Sequence, residues 1–185
     1  MEGELTEEQN AIREMALEFA RTKLAPHALE WDEKKTLPIE TLREAARLGM
    51  GGVTADASLG GSGLGRFEAA IIFEALATGC PTISAFLSIH NMAVWMIDAF
   101  GAEAFRRKVV PDLAAMNSIA SYCLTEPGAG SDAAALSTRA TREGDVYVVN
   151  GVKQFISGAG ASDWYVTMTR TGGAGASGVT ALAIH

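Results

Sequence analysis

The sequence predicts an α+β protein. An N-terminal antiparallel helical domain spans residues 1–117, and an incomplete antiparallel β-domain, a sheet or an open barrel, spans 118–185. Three observations predict it. Apolar residues recur at helical spacing through the first part of the chain. Beyond it, short alternating runs are separated by Gly turns. Where the pattern changes stands Cys123-Leu124-Thr125-Glu126-Pro127-Gly128-Ala129-Gly130-Ser131-Asp132. That mixture of glycines, hydroxyls and acids suits a loop holding a polar ligand against a sheet, not a packed core.

The helices follow in order. Thr6 with Gln9 makes a capping box, with Glu7 and Glu8 in the first turn. Ile12, Met15, Ala16, Phe19 and Ala20 form one apolar stripe, and Pro26 ends that helix. A short helical piece carries Trp31. Pro38 opens a helix over Ile39, Leu42, Ala45 and Leu48 that Gly49 closes. Residues 51–65 read as a glycine-rich loop between helices. Their Gly-Gly-Ser-Gly-Leu-Gly is no dinucleotide fingerprint, because no strand–turn–helix unit frames it with an acid ~20 residues later.

Phe67 to Thr78 is the next helix. Thr82 to Ala99 is hydrophobic almost all round, so it is buried or faces a pocket. Its His90 reads as a satisfied core residue; with no second His or Cys at ligand spacing, no metal centre is expected. Phe86, Ile89 and Met92 are among its apolar residues. Ala102 to Ala115 is the last helix, with Arg106-Arg107-Lys108 on a solvated face and Pro111 breaking or kinking it.

In the second half Ile119–Leu124 reads as a strand. Ser137–Arg142 and Val146–Val149 form a hairpin about Gly144-Asp145. Val152–Ile156 follows the Asn150-Gly151 turn, then come Trp164–Arg170 and Val179–Ile184. Two polar loops remain, 125–132 and 157–163.

Composition excludes several classes. At 48% apolar and 20% charged residues, the chain of 185 is an ordinary globular one. A net charge of −7 argues against a nucleic-acid face, which needs clustered Lys and Arg. Cys80 and Cys123 are too few for a disulfide scaffold and read as buried thiols. Glu2, Glu4, Glu7 and Glu8 are the opposite of a targeting peptide. No apolar run reaches roughly 18 residues without polar interruption, so no membrane span is expected. The run Val179–His185 reads as a strand with no tail, and so as part of a longer protein.

Cys-Leu-Thr-Glu-Pro-Gly-Ala-Gly-Ser-Asp at 123–132 and Asn-Gly-Val-Lys-Gln-Phe-Ile-Ser-Gly-Ala at 150–159 resemble the acyl-CoA dehydrogenase family of flavoenzymes. The resemblance covers essentially the whole chain and is most specific at 122–132 and 150–158. It implies FAD as cofactor, held by Tyr122, Cys123, Leu124, Thr125, Glu126, Pro127, Gly128, Ala129, Gly130 and Ser131 of the first motif. Phe155, Ile156 and Ser157 of the second motif complete this set. Thr125 would bond the pyrimidine side of the flavin, and Phe155 would lie on the ring face with Ser157 near N5. Gly130 and Ser131 would approach the pyrophosphate, Ser131 also the acyl-CoA. Where the family often has Trp and Thr, this chain has Phe155 and Ser157, which keep the aromatic surface and the hydroxyl.

The implied reaction is α,β-desaturation of a short or branched acyl-CoA, isobutyryl-CoA favoured. Electrons would pass to electron-transfer flavoprotein, and the family is usually homotetrameric. No catalytic residue is named. The family's base lies in a C-terminal helical domain that this sequence is expected to lack, and the fragment alone is expected to be inactive. Glu126 and Asp132 read as scaffolding, Asp132 tying its loop by turn-type hydrogen bonds. The implied setting is bacterial cytoplasm or, in a eukaryote, the mitochondrial matrix. An acyl-CoA oxidase, a related flavin monooxygenase and a non-catalytic binding module remain alternatives.

Overall fold

The structure, a computed structural model, describes residues 4–185. Residues 1–3, with Glu2 of the acidic start, lie outside the described residues. The chain forms two compact units, Met1–Ser118 and Ile119–His185.

In the helical unit α1 (Glu7–Phe19) starts at the capping box: Gln9 N donates to Thr6 Oγ1 (3.1 Å) and Thr6 N to Gln9 Oε1 (3.0 Å). The box satisfies amide donors that a helix start leaves orphaned. A π-helical turn, Ala20–Leu24, continues it before α2 (Ala28–Lys34) and α3 (Ile39–Arg47). Next come α4 (Arg66–Ala77), α5 (Pro81–Phe100) and α6 (Glu103–Ala114). Leu24, Leu42, Met50, Ile72, Leu76, Leu87, Val94 and Leu113 are fully buried between them. Each such side chain contributes about 1.5–3 kcal/mol on leaving water. Pro111 lies inside α6, which runs on to Ala114, so the proline does not break the helix.

By length and composition α5 could cross a membrane, with a mean hydropathy of 1.3 over its most apolar window. Half of that window is buried inside the unit, and its polar groups are bonded there. Ser84 Oγ donates to Phe73 O (2.7 Å), and His90 Nε2 lies 3.0 Å from Leu113 O. Asn91 accepts from Val53 N (2.7 Å) and donates to Met50 O (2.8 Å) and Leu87 O (2.9 Å). A buried amide with three partners is a core fastening, and this one ties the loop after α3 to α5. Arg106 makes a second tie. It pairs with Asp98 on α5, Glu103 on α6 and Asp56 in the loop, so the solvated face of the basic cluster is left to the exposed Arg107 and Lys108.

The second unit is a five-stranded sheet of β1 (Ala120–Cys123), β2 (Arg139–Glu143), β3 (Val146–Asn150), β4 (Trp164–Arg170) and β5 (Val179–Ile184). The α+β class stands, and the β2–β3 hairpin turns at Gly144 with φ 64°. The sheet is mixed, however. β4 pairs antiparallel with β5 but parallel with β1, and β2 joins β4 in parallel at Arg139–Arg170. Local pairing rules foresee hairpins. They do not foresee a strand that returns beside β1 after a detour of about 40 residues.

No strand forms over Val152–Ile156. Gly151 packs so closely that a Cβ there would stand 2.4 Å from Thr138 Oγ1. Beyond it Gln154 N donates to Thr125 O (2.8 Å) instead of to a ladder neighbour.

Candidate functional site

Within the β-unit the two polar motifs are fastened to each other. β1 delivers residues 122–132. Its inward-facing Ser121 is buried, and the Ser121 hydroxyl donates to Ser157 O (2.5 Å) while sharing a hydrogen bond with Ser162 (2.6 Å). Ile119 N donates to Asp163 Oδ2 (2.8 Å), which anchors the far end of loop 157–163 beside β1. Tyr122 is half-buried and Cys123 buried, and burial raises both their pKa values. For Cys123, Thr167 and Lys153 oppose that rise without cancelling it. Cys123 is a thiol facing the core and not a reactive thiolate.

Residues 126–129 form a tight turn in which Glu126 and Ala129 exchange backbone hydrogen bonds of 2.9 and 3.1 Å. Pro127 at the second place suits that turn. The Glu126 side chain is only 3% exposed. Its Oε2 accepts from Ser137 N (2.6 Å) and Ser137 Oγ (2.8 Å), and its Oε1 from Thr138 N (2.9 Å) and Lys153 Nζ (2.7 Å). Burial works to raise its pKa, but Lys153, Thr138 and Ser137 outweigh burial and hold the carboxyl well below the ordinary carboxylate range. It is a permanently charged fastening and cannot take a proton near neutral pH. Asp132 makes a turn-type hydrogen bond through its backbone. Its carbonyl, and not its carboxylate, accepts from Ala135 N (3.1 Å), and it makes no side-chain cap.

Lys153 and Gln154 complete the fastening. Lys153 Nζ also donates to Leu124 O (2.9 Å), next to the Gln154 N–Thr125 O bond. The next residue, Phe155, has φ 58° and is 84% exposed. An aromatic residue held in the left-handed region with its ring in solvent is strained and unpacked, a combination that clusters at ligand clamps. Ser157 is exposed at its side chain, and Ile156 is half-buried.

The residues present fit a flavin nucleotide. Among the described residues the amides of Gly130 and Ser131 donate to no acceptor. Gly128 and Gly130 have no positive φ, and a Cβ at either would meet nothing within 4 Å. Neither the backbone nor the rest of the chain therefore requires glycine there, and the space beside both is open. Beside them an open hollow of about 730 Å³ is lined by Asp132, Ser137, Arg139 and Arg170. Arg170 spends its guanidinium on the carbonyls of Ala134, Leu136, Gly173 and Gly175, which shapes the hollow's wall.

The structure thus brings 124–126 and 153–157 together and leaves Thr125, Ser131 and Ser157 half-buried or exposed. Sequence reasoning missed Ser121, Lys153, Gln154 and Arg170. For Lys153 a signal existed: a lone Lys amid Val152, Phe155 and Ile156 has to find an acid if it is buried, and Glu126 was the motif's spare carboxylate.

Helices followed by a small sheet with two joined polar loops define a class, and sequence comparison says which. Residues 6–117 match the acyl-CoA dehydrogenase N-terminal domain and residues 121–185 the acyl-CoA dehydrogenase middle domain. The chain belongs to the acyl-CoA dehydrogenase family. It is 52% identical over 181 residues to mitochondrial isobutyryl-CoA dehydrogenase of Bos taurus and 50% identical over 182 to that of Dictyostelium discoideum. Each alignment covers 98% of this chain and 44% of the relative, so the chain spans less than half the length of these curated relatives. A solved glutaryl-CoA dehydrogenase from Mycobacterium smegmatis in complex with FADH2 superposes with a TM-score of 0.90 at 27% identity. That match covers 97% of this chain and 46% of that one.

Proposed function

We propose that this chain supplies the flavin-facing and thioester-facing walls of an FAD-dependent acyl-CoA dehydrogenase acting on short branched acyl-CoA thioesters, isobutyryl-CoA foremost. The observation that carries the proposal is the pair of joined loops: the unengaged amides of Gly130 and Ser131 and the uncrowded Gly128 and Gly130 in one, and an exposed, strained Phe155 in the other. Bound FAD would supply the hydride acceptor for α,β-desaturation.

The chain's own residues bind and orient. The Thr125 hydroxyl offers a hydrogen bond to the flavin's pyrimidine edge, and the amides of Gly130 and Ser131 offer donors to its phosphates. Phe155 covers one ring face and shields it from water, while Ser157 presents a hydroxyl near N5. Ser131 also meets the acyl-CoA. Such contacts tune flavin chemistry without taking part in bond breaking. Glu126 is not the base, because its carboxylate is buried and already bonded four times. The base lies outside these 185 residues, electron-transfer flavoprotein takes the electrons, and the whole enzyme is a homotetramer. The bovine and Dictyostelium relatives are mitochondrial by name, which supports a matrix setting in a eukaryotic host.

Titration with FAD, followed by quenching of flavin emission, tests the binding half. Saturable quenching is expected and its absence overturns the flavin reading. Isobutyryl-CoA with an artificial electron acceptor tests the other half. No turnover is expected from this chain, and turnover would place the base within it.

A further inference from the structure

The buried ion pair beneath the loops has no part in the chemistry just described, and its placement calls for one. Lys153 stands two residues before Phe155 and is only 11% exposed at its side chain. Its ammonium reaches Leu124 O (2.9 Å) on one side of Thr125 and the Glu126 carboxylate (2.7 Å) on the other. The adjacent Gln154 N reaches Thr125 O itself (2.8 Å). Glu126 in turn holds Ser137 and Thr138. One cation thus brackets Thr125 and sets where the backbone stands when it enters the left-handed turn at Phe155. The Phe155 ring does not hold that turn by packing, since it is in solvent, and Val152, three residues before it, is also exposed.

We infer that Lys153 is a positioning residue for flavin binding: its ion pair with Glu126 fixes Phe155 and Ser157 in register with Thr125. This rests on the flavin reading above. Buried, paired charges are a costly way to gain stability, and their best-attested use is to fix one arrangement among several. A neutral pair of similar volume would hold the two loops near each other but would not select this register.

The test uses the full chain. Lys153→Met removes the ammonium, Lys153→Arg keeps a cation of different shape, and Glu126→Gln/Lys153→Met neutralises both partners. Two readouts are taken: FAD affinity, and amide hydrogen exchange of 124–129 and 153–157 without FAD. The expected result for Lys153→Met is FAD binding weakened about tenfold, the loss of one charge-assisted hydrogen bond, with faster exchange confined to those two segments. Lys153→Arg should regain most of the affinity.

FAD affinity within about twofold of the parent with unchanged exchange overturns the inference. So does an Arg variant as impaired as the Met variant. If Lys153→Met does not fold, the double variant decides. Weakened FAD binding by a folded double variant supports the inference. Parent-like binding by it, or failure of it to fold, overturns it, the last by making the pair a need of the fold itself. A parent chain that binds no FAD strikes at the flavin reading instead, and the exchange arm still tests the register.

Discussion

Two glycine-rich loops in this chain look alike on paper and serve opposite ends. In the helical unit a Cβ on Gly51 would stand 2.2 Å from Ala114 O, and one on Gly61 2.2 Å from Ala55 O. In the β-unit Gly128 and Gly130 face open space. The first loop uses glycine so that the chain can pack on itself; in the second nothing in the chain demands glycine, which is what the proposed flavin clearance requires. Counting glycines cannot separate these cases; asking what a methyl group would hit does.

The largest expected effect sharpens the first half of that contrast. Gly51→Ala sets a methyl against backbone at Ala114 and against the Ala46 side chain at 3.0 Å, with no flexible group able to yield. A loss of about 3 kcal/mol is expected, the upper range for overpacking. Urea denaturation of the helical unit, followed by exchange of its slowest amides, measures it. A loss below about 0.5 kcal/mol, the level of an ordinary surface change, would mean that the loop yields and that its glycines are not packing devices.

What the sequence made legible follows from the range of the forces involved. The Thr6–Gln9 box, the Pro38 start, the Gly49 stop and the α5 stripe are local, and each is found at its expected place. The hairpin at Gly144 is local too. The parallel pairing of β1 with β4 joins Ala120 to Trp164, and nothing within a window of ten residues encodes it. Val152–Ile156 alternated like a strand, yet its amide at Gln154 is claimed by Thr125, a partner far away in sequence. The motif residues of the candidate site were visible because their types are unusual for a core. Of the groups that hold them, Lys153 left a trace as a lone cation in an apolar run, but Ser121 did not, because only three dimensions bring it to Ser157.

An intermediate effect probes the second loop through acid. The Glu126 carboxyl is held below the 4.5 of a free Glu. In the unfolded chain it binds its proton more readily than in the folded one. Its contribution is therefore complete above pH 4.5 and is lost as pH falls below that value toward the folded pKa. The β-unit should lose stability at up to about 1.4 kcal/mol per pH unit from this group. The lowered carboxyls of Glu30, Glu44 and Glu103 lie at the surface of the helical unit, where solvent screens their pairs. Between pH 5 and 3, exchange protection in β1 and β4 should fall more steeply than in Glu126→Gln/Lys153→Met. Equal slopes would show that the pair is not coupled to folding.

The smallest effect on stability is the most informative about function. In Gly130→Ala the new methyl meets nothing within 4 Å and the backbone needs no positive φ. The fold should change by less than about 0.5 kcal/mol. The same methyl would occupy the space through which a phosphate-bearing ligand reaches the Gly130 and Ser131 amides, so FAD affinity should drop by about tenfold, some 1.4 kcal/mol of binding. Thermal unfolding with and without FAD measures both in one experiment. The variant should melt with the parent when alone and fail to follow it upward when FAD is added, because only binding to the folded state raises the midpoint. If the variant gains as much from FAD as the parent does, the open glycines of the second loop are not a ligand's clearance, and the contrast between the two loops fails at its functional end.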